Sequence, residues 1–559
     1  MTIPFRNLCV VALAICVILV SESNAADWLR FRGPNGSGYV SDSQPSQITW
    51  DETTLKWRAD LPGPGSSSPI VVGQRVFVTC WSGYGLDRSE PGDQSQLKRH
   101  LVCFDRQTGE LLWNETVDSY LPEDDFGGMF AEHGYASHTP ASDGLYVYAF
   151  FGKSGVVKFD MDGNQLWKQS VGTESGASNW GSASSPILFE NLLIVPAIAE
   201  SEALVALDTE TGKEVWRQEA AGFSSVWGTP ILVPVNRDRT DLVIAVPDEI
   251  WGFNPSSGQL LWYCKAVSAR PFCSSVIAHD GVVYAIASGS SGGGGIAVRA
   301  GGTGDVTDTH VIWSGRQGNR IGTPLYHDQR LYTFSNGIAT CFDAESGEQI
   351  YRARLRGGRD GGGRAQNYAS PVIAGDVIYF TSRDGAIYVI QATEEFLQLG
   401  VNRVTEDTED FSATPAICDG QLFIRSSKSL YCVSSDGNVT GDLQNAIVMA
   451  REAARNAPAE EPVEENDRGG RRRFDPEEYF RQQDTDGDGK LASDEISDRL
   501  RDALDQIDTD GDGAVTKEEY LVGMRQMFQG RGGRGNRGSD ESDTKPERPQ
   551  RPPLASAAG

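Results

Sequence analysis

Phe104-Asp105-Arg106-Gln107-Thr108-Gly109-Glu110-Leu111-Leu112-Trp113 is the stretch around which the rest of the chain organises itself. An apolar strand ends at Phe104, Asp105 and Gly109 supply a tight turn with a φ > 0 position, and a second apolar strand returns to Trp113. The phrase recurs as Phe159-Asp160 through Gly163 to Trp167 and as Leu207-Asp208 through Gly212 to Trp216. Weaker copies run from Phe253-Asn254 to Trp262, through a degenerate stretch to Trp313, and from Phe342-Asp343 to Tyr351. A period of about 40–55 residues is that of propeller blades.

A second repeat lies upstream of each phrase and counts the blades. Ser68-Pro69, Thr139-Pro140, Ser185-Pro186, Thr229-Pro230, Ser275-Val276, Thr323-Pro324, Ser370-Pro371 and Thr414-Pro415 each open an apolar, turn, apolar pattern. This predicts an all-β propeller of eight four-stranded antiparallel blades over 26–438. The last unit, ending near Leu430-Tyr431-Cys432-Val433, lacks a returning strand, whereas Leu55-Lys56-Trp57-Arg58-Ala59-Asp60 is a returning strand without a blade. Pairing the two closes the ring and removes the open edges.

These phrases resemble the pyrroloquinoline quinone (PQQ) repeat, which builds eight-bladed propellers in quinoprotein alcohol dehydrogenases and in BamB-type outer-membrane assembly scaffolds. The opening Trp28-Leu29-Arg30-Phe31-Arg32-Gly33-Pro34-Asn35-Gly36 is similar to the start of secreted bacterial PQQ-like proteins. The resemblance implies the fold, and leaves the activity to be argued from the site. Quinone-binding members place a disulfide between adjacent cysteines against the cofactor and hold calcium with Glu, Asn and Asp. This chain has nine cysteines and no adjacent pair. Cys103, Cys341 and Cys432 share one repeat position with Ala206 and Ala297, so they are expected as small core residues.

The alignment also marks an axial mouth. Two residues before each blade-opening position stand Ser67, His138, Ser184, Gly228, Ser274, Gly322, Ala369 and Ala413, so His138 alone is large and titratable there. His133 and Tyr135 are close by, and other blades add Trp180, Trp227, Arg270, Arg320, Asn367, Tyr368 and Asp410. His138, Trp180, Trp227, Arg320, Tyr368 and Asp410 are the candidate residues for a small ligand or cofactor. The competing expectation is that they plug the channel.

Flanking segments set the context. Arg6, the apolar run from Leu8 to Val20 and Ser23-Asn24-Ala25 read as a secretory signal peptide over 1–25. No later segment is expected to cross a membrane. Fifty Lys+Arg against 77 Asp+Glu, a net charge of −27, argues against DNA binding by phosphate neutralisation.

A helix is expected over 442–457, within a helix-and-charged-linker region at 439–473. The region 474–529 then carries two loops of EF-hand spacing. Asp484, Asp486 and Asp488 take positions 1, 3 and 5, Gly489 turns the chain, Lys490 offers its carbonyl and Glu495 closes the set. Asp508, Asp510, Asp512, Gly513, Ala514 and Glu519 repeat it. Oxygen ligands at these spacings suit two calcium ions. Leu491 and Val515, at position 8, are expected to pair as a short bridge. The loops start 24 residues apart, which is similar to the short spacing of dockerin modules. With Ala492 and Thr516 at position 9, affinity is expected at about 10⁻⁴–10⁻³ M. The Gly/Arg-rich 530–559 is expected as a disordered tail.

Together these observations predict an exported calcium-binding propeller, periplasmic or at the cell surface, acting as a protein-binding or scaffold module of the cell envelope. The alternative is a periplasmic PQQ-dependent oxidoreductase of the alcohol or aldose dehydrogenase type.

Overall fold

The computed structural model describes residues 27–39, 45–289, 292–358, 367–434, 439–456, 480, 489–492, 508, 513–522 and 550–555. Eight sheets of antiparallel strands follow one another along the chain. In the third blade, Ile187–Phe189, Leu192–Ala197, Ala203–Asp208 and Glu214–Glu219 pair in sequence order. The middle strands are buried on both faces between neighbouring blades, which is why they read as unbroken apolar runs. The eighth blade closes as expected, with Trp57–Asp60 lying antiparallel to Ser429–Ser434 and Trp57 opposite Cys432.

Two belts of contacts hold blade to blade, and each explains one of the sequence repeats. The inner belt is made of hydroxyls. The backbone N–H of Ser68 donates to Thr139 Oγ1 (2.9 Å), that of Thr139 to Ser185 Oγ (3.0 Å) and that of Ser185 to Thr229 Oγ1 (3.0 Å). The relay continues through Ser275, Thr323 and Ser370 to Thr414. A Ser or Thr stands at this position because a buried N–H must find an acceptor.

The outer belt is made of tryptophans. Trp216 Nε1 donates to Pro255 O in the next blade (3.0 Å), and Gly258 lies under its ring. Gly258 has φ +70°, and a Cβ there would stand 2.4 Å from Trp216 Cε3, so both backbone and space demand glycine. Trp57, Trp113, Trp167 and Trp313 make the equivalent bond to Arg106, Met161, Thr209 and Ala344. A β-bulge just before the aromatic aims it at the neighbour. Ala206 pairs with Trp216 but Leu207 with Glu214, which leaves Val215 unpaired and more than half exposed. The small residues opposite the ring are Cys103, Ala206, Ala297, Cys341 and Cys432, all fully buried as expected.

The fourth blade departs from the pattern. The following blade replaces its turn with the insertion Ala300–Val306, and Trp262 instead lies over its own Gly252 and donates to buried Asp241 (2.7 Å). Part of the insertion, Gly304–Asp305, pairs in parallel with Trp262 and Tyr263 as a fifth strand.

The helix spans Val439–Asn456, beginning three residues before the expected start, and its Leu443 and Ala446 pack on the core of the seventh and eighth blades. Within the span read as tail, Gln550–Ala555 is ordered on the propeller, because backbone partners at Gly222 and Leu260 receive it. Among the described residues, no helix is long and apolar enough to cross a membrane. Residues 1–25, and with them the signal-peptide reading, lie outside the described residues.

Candidate functional site

The mouth of the channel is built by the segments that precede the inner belt. The loop between the first and second blades packs Phe130 and Tyr135 with Trp81 and Tyr84 as an aromatic layer, and sets His133 against Phe130. From this loop, Glu132 reaches past the eighth blade to the seventh and meets Arg383 (2.6 Å). Arg88 pairs with Glu132 Oε1 (2.6 Å), and Tyr368 OH donates at 3.5 Å to Oε2, the oxygen that Arg383 holds. Arg383 also pairs with Asp410 (2.5 Å) and lies over the Tyr368 ring. Burial alone raises the Glu132 pKa, but Arg88 and Arg383 outweigh it and hold the carboxyl below its usual value.

A second cluster faces it. Trp180 and Trp227 pack with ring centroids 5.1 Å apart, Trp227 Nε1 donates to Gly181 O, and His133 bonds Trp180 O through Nε2. His138 lies beneath, almost fully buried against Phe150. Its Nε2 is 2.9 Å from Ser182 Oγ, which donates in turn to Glu200 Oε1 (2.6 Å). Burial pushes Glu200 up to about 7 and His138 down to about 3, so the histidine is neutral near pH 7 while the carboxyl titrates there. In a nucleophilic triad the histidine bridges serine and carboxylate; here the serine is the bridge, so His138 does not relay the serine's proton to Glu200. Nearby, Arg99 pairs with Glu123, and Lys153 with Asp124 (2.7 Å).

The candidate residues therefore fall into two groups and an outlier. Trp180 and Trp227 join, Tyr368 and Asp410 join through Arg383, and Arg320 is exposed beside the Cys273 thiol. Glu132, Arg383 and Glu200 were not among the sequence candidates. Glu200 had a signal, an acid directly after the apolar run Leu192–Ala199, whereas Glu132 and Arg383 are 251 positions apart and carry no local mark.

The N-terminal segment lies against the first strands of the first, second and seventh blades. Trp28 bridges Val71, Leu29 O accepts from Ser142 N, and Tyr39 bridges Ile373. Fully buried Arg32 donates to the carbonyls of Pro324 (2.8 Å), Pro371 (3.0 Å) and Ser37 (2.8 Å). Desolvation lowers its pKa to about 9.

In the C-terminal module, Gly489 and Gly513 take φ +83° and +80°, the turn required at position 6 of each loop. Leu491 pairs with Val515 as expected, and both are fully buried. Asp508 Oδ2 accepts from Gly513 N (3.0 Å), and Glu519 Oε2 from Thr516 N and Oγ1. Asp484, Asp486, Asp488, Glu495, Asp510 and Asp512 lie outside the described residues.

Residues 27–181 and 152–395 match the family described as outer membrane protein assembly factor BamB. The chain belongs to the BamB family. Among relatives of this BamB-family propeller, the polyvinylalcohol dehydrogenase of Pseudomonas sp is 24% identical over 217 residues, covering 32% of this chain and 30% of that protein. The BamB of Alkalilimnicola ehrlichii (strain ATCC BAA-1101 / DSM 17681 / MLHE-1) is 28% identical over 155 residues, covering 28% and 33%. The chain thus spans about a third of the length of the curated relatives it matches. A europium-containing methanol dehydrogenase structure superposes with TM-score 0.51 at 11% identity, covering 73% of this chain and 98% of that one, which is a likeness of fold.

Proposed function

We propose that this protein is an exported, calcium-binding propeller that holds a protein partner in the cell envelope, as a scaffold rather than a quinone-dependent oxidoreductase. The observation that carries this reading is the Glu132–Arg383–Asp410 bridge over the mouth. Side chains from distant blades spend their hydrogen-bonding capacity on one another where a planar cofactor would have to enter. A ligand would have to break into a partly buried network of charge-assisted bonds that runs from Arg88 through Glu132 and Arg383 to Asp410. The BamB family, whose description is that of an outer-membrane assembly factor, supports a protein-binding role and an envelope location.

Two calcium ions fit the C-terminal loops by the chemistry of their donors. Asp508 and Glu519 present carboxylate oxygens at the first and last positions, and Ala514 and Lys490 follow the turning glycines. Asp484, Asp486, Asp488, Glu495, Asp510 and Asp512 would complete the two sets. The ions would neutralise part of an acidic segment and order it.

The oxidoreductase alternative draws on the dehydrogenase relatives and predicts a different outcome in one experiment. The full chain is titrated with PQQ, with and without calcium, and its thermal midpoint and quinone absorbance are followed. The scaffold reading expects calcium alone to raise the midpoint, and PQQ to change nothing well above micromolar concentration. Saturable stabilisation by PQQ with a shifted quinone spectrum overturns it.

A further inference from the structure

The outer edge of the fourth blade is occupied twice. Gly304–Asp305 covers it at Trp262 and Tyr263, and just before them the C-terminal segment takes over. Leu554 forms a parallel bridge with Leu260, Ala555 N donates to Leu260 O (2.8 Å), and Gly222 N donates to Gln550 O (3.0 Å). Between these two backbone anchors, Arg551 forms a two-pronged ion pair with Glu249, its Nε 2.8 Å from Oε2, and its guanidinium lies 3.5 Å from the centroid of the Tyr263 ring. Glu249 is held in place from behind by Trp251 Nε1 (2.6 Å). Pro552 and Pro553 join the arginine to Leu554, and because their rings fix φ this stretch loses little conformational freedom on docking.

Backbone pairing for affinity and a fixed carboxylate with an aromatic face for specificity are the parts of a strand-addition peptide site. We propose that this edge is a peptide-binding groove for extended segments with an arginine followed by two prolines and an aliphatic residue, filled by the chain's own Gln550–Ala555 as an intramolecular latch. The helix Val439–Asn456 and this tail belong to one compact unit, and 459–547, the other unit, is the chain that joins them. A protein partner presenting the same sequence chemistry would compete for the groove and release the tail. Tethering raises the local tail concentration, so such a partner must bind more tightly than the isolated tail does.

Hydrogen exchange on the full chain tests this. The amides of Gly222 and Ala555 are expected to exchange at least about tenfold more slowly in the wild type than in Arg551→Ala, a change outside the propeller that leaves its thermal midpoint in place. Glu249→Gln, which still offers Trp251 an acceptor, should loosen Ala555 in the same way. A synthetic peptide of residues 548–557, added above the roughly millimolar local concentration that a flexible tether provides, should speed exchange at the chain's own Ala555 while Gly222 stays protected, because the groove is refilled. The groove is refuted if Ala555 exchanges in the wild type at the free-peptide rate, or if the added peptide leaves it unchanged. A concentration-dependent dimer that Arg551→Ala abolishes would move the tail to a second copy and overturn the latch.

Discussion

The two belts that join the blades do the same job with different chemistry, and the fourth blade shows which parts of each are indispensable. At the junction of the fourth and fifth blades the inner belt lacks its proline, since Val276 follows Ser275, yet both hydroxyl bonds survive at 2.9 and 3.1 Å. The hydroxyl is therefore the working part of the Ser/Thr-Pro repeat, and the proline is an accessory that sets φ. At the same junction the outer belt loses its glycine turn, and there a new solution had to be built: Trp262 finds Asp241, and an inserted strand covers the edge. A small acceptor can be supplied in isolation. A ring that needs a glycine beneath it and a carbonyl beyond it depends on the whole turn.

The largest expected effect is on the outer belt. Trp216 is buried, fills the space over Gly258 and gives its N–H to Pro255. Trp216→Ala should cost about 3–5 kcal/mol, the usual loss for emptying a large aromatic site. Chemical denaturation with an unchanged slope would read it. A loss under about 1 kcal/mol would mean that the blades are held chiefly from inside, and the comparison would collapse.

Behind the inner belt sits a titratable relay, so its strength should depend on pH where that of the outer belt does not. Glu200 in the fold keeps its proton up to about pH 7, whereas the ordinary glutamate value, that of the unfolded chain, is 4.5. Between these values the folded state binds more protons than the unfolded one, so stability falls as pH rises through the window. The shift corresponds to at most about 3 kcal/mol at pH 8. Glu200→Gln, which can still accept from Ser182, should flatten that fall and stabilise the protein at pH 8 relative to pH 5. Unchanged pH dependence in the variant would assign the titration to another group.

The sequence made the belts legible because each is written locally. Glycine and aspartate mark a turn within five residues, and the aromatic follows at fixed spacing, so the eight blades, the borrowed closing strand and the buried Cys103, Cys341 and Cys432 could all be counted. The candidate mouth was legible only as a set of positions. Which of its residues join was decided by Arg383 and Glu132, whose pairing depends on the ring having closed, and no periodicity encodes that. The N-terminal Arg32 and the C-terminal Arg551 were hidden for the same reason. One is satisfied by carbonyls of the sixth and seventh blades and the other by an acid of the fourth, so each reads in sequence as an ordinary basic residue in a loop.

The smallest effect sharpens the comparison most, because it removes one interaction and almost no volume. Thr229 Oγ1 accepts from Ser185 N, and Thr229 N in turn donates to Ser275 Oγ. Thr229→Val keeps the shape and the outgoing bond but leaves the Ser185 N–H buried without an acceptor, which should cost about 1–3 kcal/mol. The amide of Ser185 should then lose protection in hydrogen exchange while that of Thr229 keeps it. Loss at both would mean that the belt acts cooperatively, as one ring. Loss at one means that each blade joint is an independent latch, which is what the survival of the Ser275 bonds without a proline already favours.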